Sequence, residues 1–495
     1  MFSGQDEPTR GCAMTVSRRE FCASIGLLSV LASVGCEEML EWLPRGVGHR
    51  PRPDGLVPGS DQWSLTEHVL RRCTFGPVPG DRRLFVDESN VDRFLEDQLA
   101  PNSIEDGLCD RTIRSIERIH QPRRELYSED PRMLLHDLVR ARLLRAVYSR
   151  RQLQEIMVDV WTDHFNIAWS KSNCKWLKVA DEQEVIRPNA LGRFRDLVRG
   201  SATSPAMLIY LDGHDNKVVD HDDRPNENYG RELLELHTLG VDGGYTQRDV
   251  FEAARCLSGW TYGHALGHVS EVAFDPARHD DGEKEVLGFR IPAGGGKEDL
   301  ERLLDIVCFH PSTARYVSAR LVKTFVGDPA PEGVLRAAQA SFLESGGEIK
   351  SVMRTIFAHE DFRSARANLF KRPFRYVVSA LRVTDADTDG GPAIQDVLRR
   401  MGQAPYEYPT PDGYPLEAEP WHGSLLWRWN FAVDLCRGGM GGTSVDIDQL
   451  LDRCGGEQAA IRHVLGRVPN ENEARDLTGS DALGLALCSP AFQWH

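Results

Sequence analysis

A chain of 495 residues, 41 % hydrophobic and 27 % charged, has the composition of a folded protein with one large or two to three ordinary domains. Its net charge of −15 and pI of about 5.6 argue against nucleic acid as a partner, which usually needs a basic face. The same balance gives no help to an anionic membrane surface.

In chain order, residues 14–36 come first: MTVSRREFCASIGLLSVLASVGC. A Ser-Arg-Arg-x-Phe box, Ser17 to Phe21, precedes an apolar run from Cys22 to Val34 that is too short and mild to span a bilayer. This is the layout of a secretory signal, and the paired arginines point to the twin-arginine route, hence to periplasm or cell envelope. An ordinary buried helix with two arginines at its mouth is the competing reading. Met14 makes a more typical start than Met1. The run ends at Ser33-Val34-Gly35-Cys36, which resembles a lipobox with Ser33 where Leu is usual. Plain cleavage and a lipid on Cys36 both stay open, and that lipid would be the one membrane attachment. The expected organisation is a signal over 1–36, a Pro/Gly-rich linker over 37–62 and a body over 63–495.

The body reads as mainly α: a large single helical domain with long functional loops and little β. A helix is expected from about Thr66 to Cys73, then two long amphipathic runs between Pro131 and Trp169. Further helices are expected near 190–201, 227–239, 246–259, 297–308, 311–326, 331–343, 349–357, 371–384, 394–401 and 423–436, with one or two within 446–490. Long loops fall at 211–226, 260–296 and 402–422, and segments of that length in a compact domain are usually functional. Within the second, SEVAFD alternates as a short strand would. Eight of the eleven cysteines lie in the body, none in a CxxC pair, so buried thiols are expected rather than a disulfide framework.

The densest chemistry lies in PNENYGRELLELHTLGVDGGYTQRDVFEAARCLSGW, Pro225 to Trp260. Asn226 or Asn228 can cap the helix, Glu227 suits its first turn, and Glu227, Arg231 and Glu235 follow at four-residue spacing. Caps and ion pairs alone would explain that pattern. Glu232 and Glu235 share a face, however, and His237 follows. Upstream, VDVWTDHFN puts Asp159, Asp163 and His164 on adjacent turns. Facing helices that donate carboxylates and imidazoles build metal sites in helical bundles, although the Glu-x-x-His motif of those proteins is missing. His279 and Asp280 in the 260–296 loop could join them. His214, Asp215, His221, Asp222 and Asp223 are a weaker set, for which a solvated acidic loop is the simpler reading. A divalent metal held by Asp163, His164, Glu227, Glu232, Glu235, His237, His279 and Asp280 is therefore one expectation. Glu232, Glu235, Arg231 and His164 would do the catalysis, with a Glu as general base and Arg231 clamping an anionic group. The tryptophans Trp161, Trp169, Trp176, Trp260, Trp421, Trp427 and Trp429 read first as core and second as stacking platforms.

Ordered blocks along the chain carry a family resemblance: HVLRRCTFGPVPGD, VDVWTDHFNIAWSK, PNENYGRELLELHTLGVDGGYTQRDVFEAARCLSGWTY, HPSTARYVSARLVKTFV, KRPFRYVVSALR and MGQAPYEYPTPDGYP. From about His68 onward the chain resembles the bacterial domain of unknown function 1800. Gly230 stands where that family usually has Ala, and Tyr414 where it usually has Trp. The resemblance implies an exported, often twin-arginine-targeted, largely helical protein, frequently encoded beside a sulfatase- or phosphatase-like exported protein. It supplies no assigned reaction and no catalytic residues. Two functions are expected: a cell-envelope enzyme, metal-dependent, acting on an extracytoplasmic polymer, or a non-catalytic envelope partner of the neighbouring hydrolase-like protein, with the same charged residues serving as ionic locks.

Overall fold

Two largely buried helices form the centre of the molecule. The computed structural model describes residues 63–84, 89–219, 223–265 and 268–495. The signal, the linker, His221 and Asp222 lie outside them. Helix α1 (Leu65–Cys73) is capped by the Ser64 hydroxyl, which accepts the Glu67 N–H at 3.1 Å. Helix α2 (Pro131–Tyr148) starts at Asp130, whose carboxylate accepts the Arg132 N–H at 2.8 Å, with Pro131 in the first turn. Leu134, Leu138, Ala141, Leu143, Ala146 and Val147 are all buried, so apolar contacts surround it. Helix α3 (Gln152–His164) is buried along almost its whole length.

Around this pair pack further helices that overlap the predicted spans. They are α4 (Glu227–Glu232), α5 (Gln247–Leu257), α6 (Glu298–Cys308), α7 (Pro311–Phe325), α8 (Pro373–Val383), α9 (Pro392–Arg400) and α10 (Leu425–Arg437). The fold is mainly α, as its periodicity predicts. The C-terminal stretch holds four helices, Ile447–Cys454, Glu457–Leu465, Glu471–Asp476 and Ala482–Cys488, where the pattern suggested one or two. Gly residues at positive φ end the first two, so each stops after two to three turns.

The expected loop over 260–296 is instead two hairpins. β1 (Trp260–Ala265) pairs antiparallel with β2 (His268–Phe274), and β3 (Lys284–Val286) with β4 (Phe289–Ile291). The second turns through Leu287 at φ 51° and Gly288 at φ 78°, the backbone of a type I′ turn. Leu at the first turn position disguises it, because Asn, Asp or Gly normally signals that geometry. SEVAF does lie in β2.

One contiguous core runs through the described residues, with a satellite cluster of Trp63, Phe370, Tyr414, Trp421 and Trp494 beside it. Trp161 is fully buried and donates its Nε1–H to the Ala190 carbonyl at 2.8 Å. The eight body cysteines are free, five of them buried. Among the described residues no helix is long and apolar enough to cross a membrane.

Candidate functional site

Carboxylates line one face of α3 at four-residue spacing: Glu155, Asp159 and Asp163. A buried carboxylate needs a counter-charge and hydrogen bonds to keep its ionised form. Each here finds an arginine from elsewhere. Arg187 forks onto Glu155 at 2.8 and 3.0 Å. Arg142 of α2 and Arg372, at the start of α8, both bind Asp159, the latter at 2.8 Å. Arg372 also donates to Asp163 at 2.5 Å. Burial works to raise the Asp159 carboxyl, but its two guanidiniums outweigh that and hold it below the usual range. Burial and the neighbouring Asp159 charge raise Asp163, because it has only a share of Arg372.

The second element is α4, whose side chain at Asn226 caps the first turn by accepting the Asn228 N–H at 3.0 Å. It continues without a break into a π-helical turn, Leu233–Thr238, where the Leu239 N–H reaches the Leu234 carbonyl at 2.9 Å. The Thr238 hydroxyl donates to the Leu233 carbonyl at 2.6 Å. The wider turn advances the buried face by four residues, so Leu233, Leu234, His237 and Thr238 point inward while Leu236 is only partly covered. Gly230 lets α4 lie directly on α5: a Cβ there would meet Ala254 N at 3.0 Å and Val250 O at 3.1 Å.

His164 and His237 meet where α3 and the π turn cross. The His164 Nε2–H donates to the His237 carbonyl at 3.0 Å, and the ring centroids are 6.3 Å apart. Burial pushes His237 down to about 3 and drives His164 well below the ordinary range, helped by nearby Arg320 and His237. Both rings are therefore neutral near pH 7. Outside this pair, Arg231 bridges Glu227 at 3.2 Å and Glu235 at 3.3 Å and also donates to Gln247 at 2.9 Å. Glu232 has no such partner. Partial burial, then the Glu235 charge, raises its carboxyl above the usual Glu range; Arg231 opposes and Asp412 adds to the rise.

Asp412 comes from the 402–415 loop, which folds back onto the end of α3. Asn166 Nδ2 donates to the Tyr408 and Thr410 carbonyls at 3.1 and 2.7 Å, and the Trp169 N–H to the Tyr406 carbonyl at 2.8 Å. Gly413, at φ 72°, lies so close to α3 that a Cβ would sit 2.1 Å from the Asp163 carbonyl oxygen. A family model described as a protein of unknown function (DUF1800) matches residues 68–494. The chain belongs to that family. No curated protein and no solved structure matches it. Three DUF1800 blocks far apart in the chain, around Asp163, Glu232 and Asp412, thus converge on one place. Tyr414 donates its hydroxyl to the Ala404 carbonyl at 2.7 Å and closes the loop.

The remaining candidates sit elsewhere in this DUF1800 fold. His279 Nδ1 donates to the Ser258 carbonyl at 2.8 Å and its Nε2 lies 3.2 Å from Asp299 Oδ2, while Lys284 Nζ donates to Asp299 at 2.7 Å, all three side chains fully buried. Asp280 is held by a bidentate Arg255 at 2.6 and 3.0 Å; burial alone would raise it, but that pair keeps it low. His214 stacks on Tyr262 at 4.9 Å. The eight residues expected to share a metal are thus distributed over separate networks. Among the described residues no three His, Cys, Asp or Glu side chains are grouped to hold a metal ion. Glu155, Arg142, Arg187, Arg372 and Asp412 escaped the sequence reading. The four-residue spacing of Glu155, Asp159 and Asp163 was the available signal; nothing local marks their arginines.

Proposed function

We propose that this DUF1800 protein is an exported cell-envelope enzyme that hydrolyses an extracytoplasmic polymer by carboxylate acid–base chemistry, with Glu232 as the proton donor. The observation that carries the reading is the raised Glu232 carboxyl between Glu235 and Asp412 at a partly open surface. Carboxylates pushed apart in proton affinity are how one site supplies both an acid and a base. Protonated Glu232 would give its proton to the departing oxygen or nitrogen of the scissile bond. Water would add its oxygen to the carbon left behind, and Glu235 or Asp412 would take the water's proton. The buried His164–His237 crossing and the Asp159–Asp163 network would hold the elements that carry these groups.

Export is supported by the Ser17–Phe21 box and the apolar run after it. A metal-assisted version has less support, because Asp163, Glu227, Glu235 and Asp280 are each paired with arginine. Those same pairs favour a second reading, a non-catalytic envelope scaffold for a co-encoded sulfatase- or phosphatase-like protein.

The test uses protein purified after native export. Isolated envelope polysaccharide and peptide polymers are incubated with it, and release of soluble fragments is followed against pH. The rate should fall as pH rises through a value above the ordinary Glu range, and Glu232→Gln should lower kcat by about 100-fold or more. Full activity in Glu232→Gln, or no fragment release with partner capture intact, would favour the scaffold. Elemental analysis of the same sample tests for a stoichiometric metal.

A further inference from the structure

We infer that the outer side of the 402–415 loop is a binding cleft for a linear, neutral glycan chain. Two open clefts of about 480 and 280 Å³ lie against the Arg399–Glu407 ion pair, and both are lined by Arg399, Ala404 and Glu407. The larger lies within the size range of small-ligand sites. Tyr408 lines it with a partly exposed side chain. That ring is backed by Tyr414 at 4.6 Å, which in turn packs on Trp421 at 5.8 Å. The smaller cleft is lined by Trp169, whose indole is fixed in place by donation to the Lys175 carbonyl at 3.1 Å.

Between these two aromatic faces stand polar groups of both kinds. Arg399 and Glu407, 3.0 Å apart and both partly exposed, present a donor fork beside an acceptor. Gln395 commits its Nε2 to the His136 and Gly390 carbonyls at 3.1 and 2.9 Å and offers its Oε1 as an acceptor. Among the described residues His136 Nε2 is buried with no hydrogen-bond partner. Flat rings flanked by paired donors and acceptors suit pyranose faces and their equatorial hydroxyls. The lining is helix and loop, so a peptide finds no strand edge to extend. Of the two arginines that line the clefts, Arg132 and Arg399, the second is matched by Glu407, and the whole chain carries −15, which disfavours an acidic polymer.

The cleft also points to the carboxylates. Pro409 lines it, and Asp412 follows three residues later, within about 10 Å of chain. A glycan that extends beyond Pro409 would run toward Asp412, and its approach to Glu232 rests on the hydrolytic reading above.

The experiment is calorimetric titration of the natively exported chain with cellohexaose, chitohexaose and maltohexaose, with bond cleavage scored separately. At least one should bind saturably, and Tyr408→Ala, Trp169→Ala and Glu407→Gln should each weaken it by about tenfold. Trp427→Ala, an exposed aromatic on a different surface, should not. Glu407→Gln keeps the test valid where an aromatic variant fails to fold. Saturable binding that these variants reduce, with no bond cleaved, sustains the cleft and refutes the hydrolytic reading. No binding of any hexasaccharide, or binding indifferent to all three variants, overturns the inference even where envelope polymer is degraded.

Discussion

Among the described residues, Arg372→Met removes the one guanidinium hydrogen-bonded to Asp163 and one of the two hydrogen-bonded to Asp159, at distances of 2.5 and 2.8 Å. Both carboxylates are more than nine-tenths buried, so water cannot replace the lost guanidinium. Breaking a buried pair in this way costs about 3–5 kcal/mol, mostly as the cost of the stranded charge. Asp163→Asn should cost less, because burial already raises that carboxyl and the amide removes an unfavourable charge beside Asp159. Asp159→Asn should cost more, since its ionised form is the one the fold favours. In the double variant Arg372→Met/Asp163→Asn only Asp159 keeps a charge, and Arg142 still binds it. The two single effects should therefore couple by about 1–3 kcal/mol. Urea unfolding followed by tryptophan fluorescence gives all four corners of the cycle. Effects additive within about 0.5 kcal/mol, or an Arg372→Met cost below about 1 kcal/mol, would refute the reasoning.

Two further outcomes are expected. His237 is neutral in the fold, with its proton affinity lowered to about 3, but titrates near 6.5 when unfolded. Its contribution is therefore complete above about pH 6.5 and is lost as pH falls toward 3. At pH 5 the loss amounts to about 2 kcal/mol, so His237→Phe should flatten the stability–pH curve below pH 6.5 in urea melts; an unchanged slope speaks against a neutral buried ring. Gly413→Ala should cost about 2–4 kcal/mol and expose residues 402–415 to protease, since its Cβ meets the Asp163 carbonyl oxygen at 2.1 Å. Gly402→Ala, at φ 87° with open space around it, should cost only about 1–2 kcal/mol of backbone strain. Equal behaviour of the two variants would mean that the loop does not lean on α3.

Local rules made much of this protein legible before its fold. The helix spans of α2, α3, α5 and α7 follow from apolar periodicity, and the Asn226 cap and the Glu227–Arg231–Glu235 ladder lie where four-residue spacing puts them. Such signals act within a turn or two of helix, so one chain segment contains them whole. The partners of Asp163 are of another kind: Arg372 is 209 residues away, and no local pattern marks it. The π turn belongs there too. Its register is set by packing against α3, where the His164 ring meets the His237 carbonyl, and no local pattern marks it. The 402–415 loop looked irregular because its order comes from Asn166 and the α3 backbone, not from its own residues. The sequence by itself determined the helices, the family and which polar residues were available. The tertiary structure decided which of them are neutralised as ion pairs and which, like Glu232, have their carboxyl raised by partial burial and neighbouring carboxylates. Burial and counter-charge set that difference, and both are properties of the assembled fold.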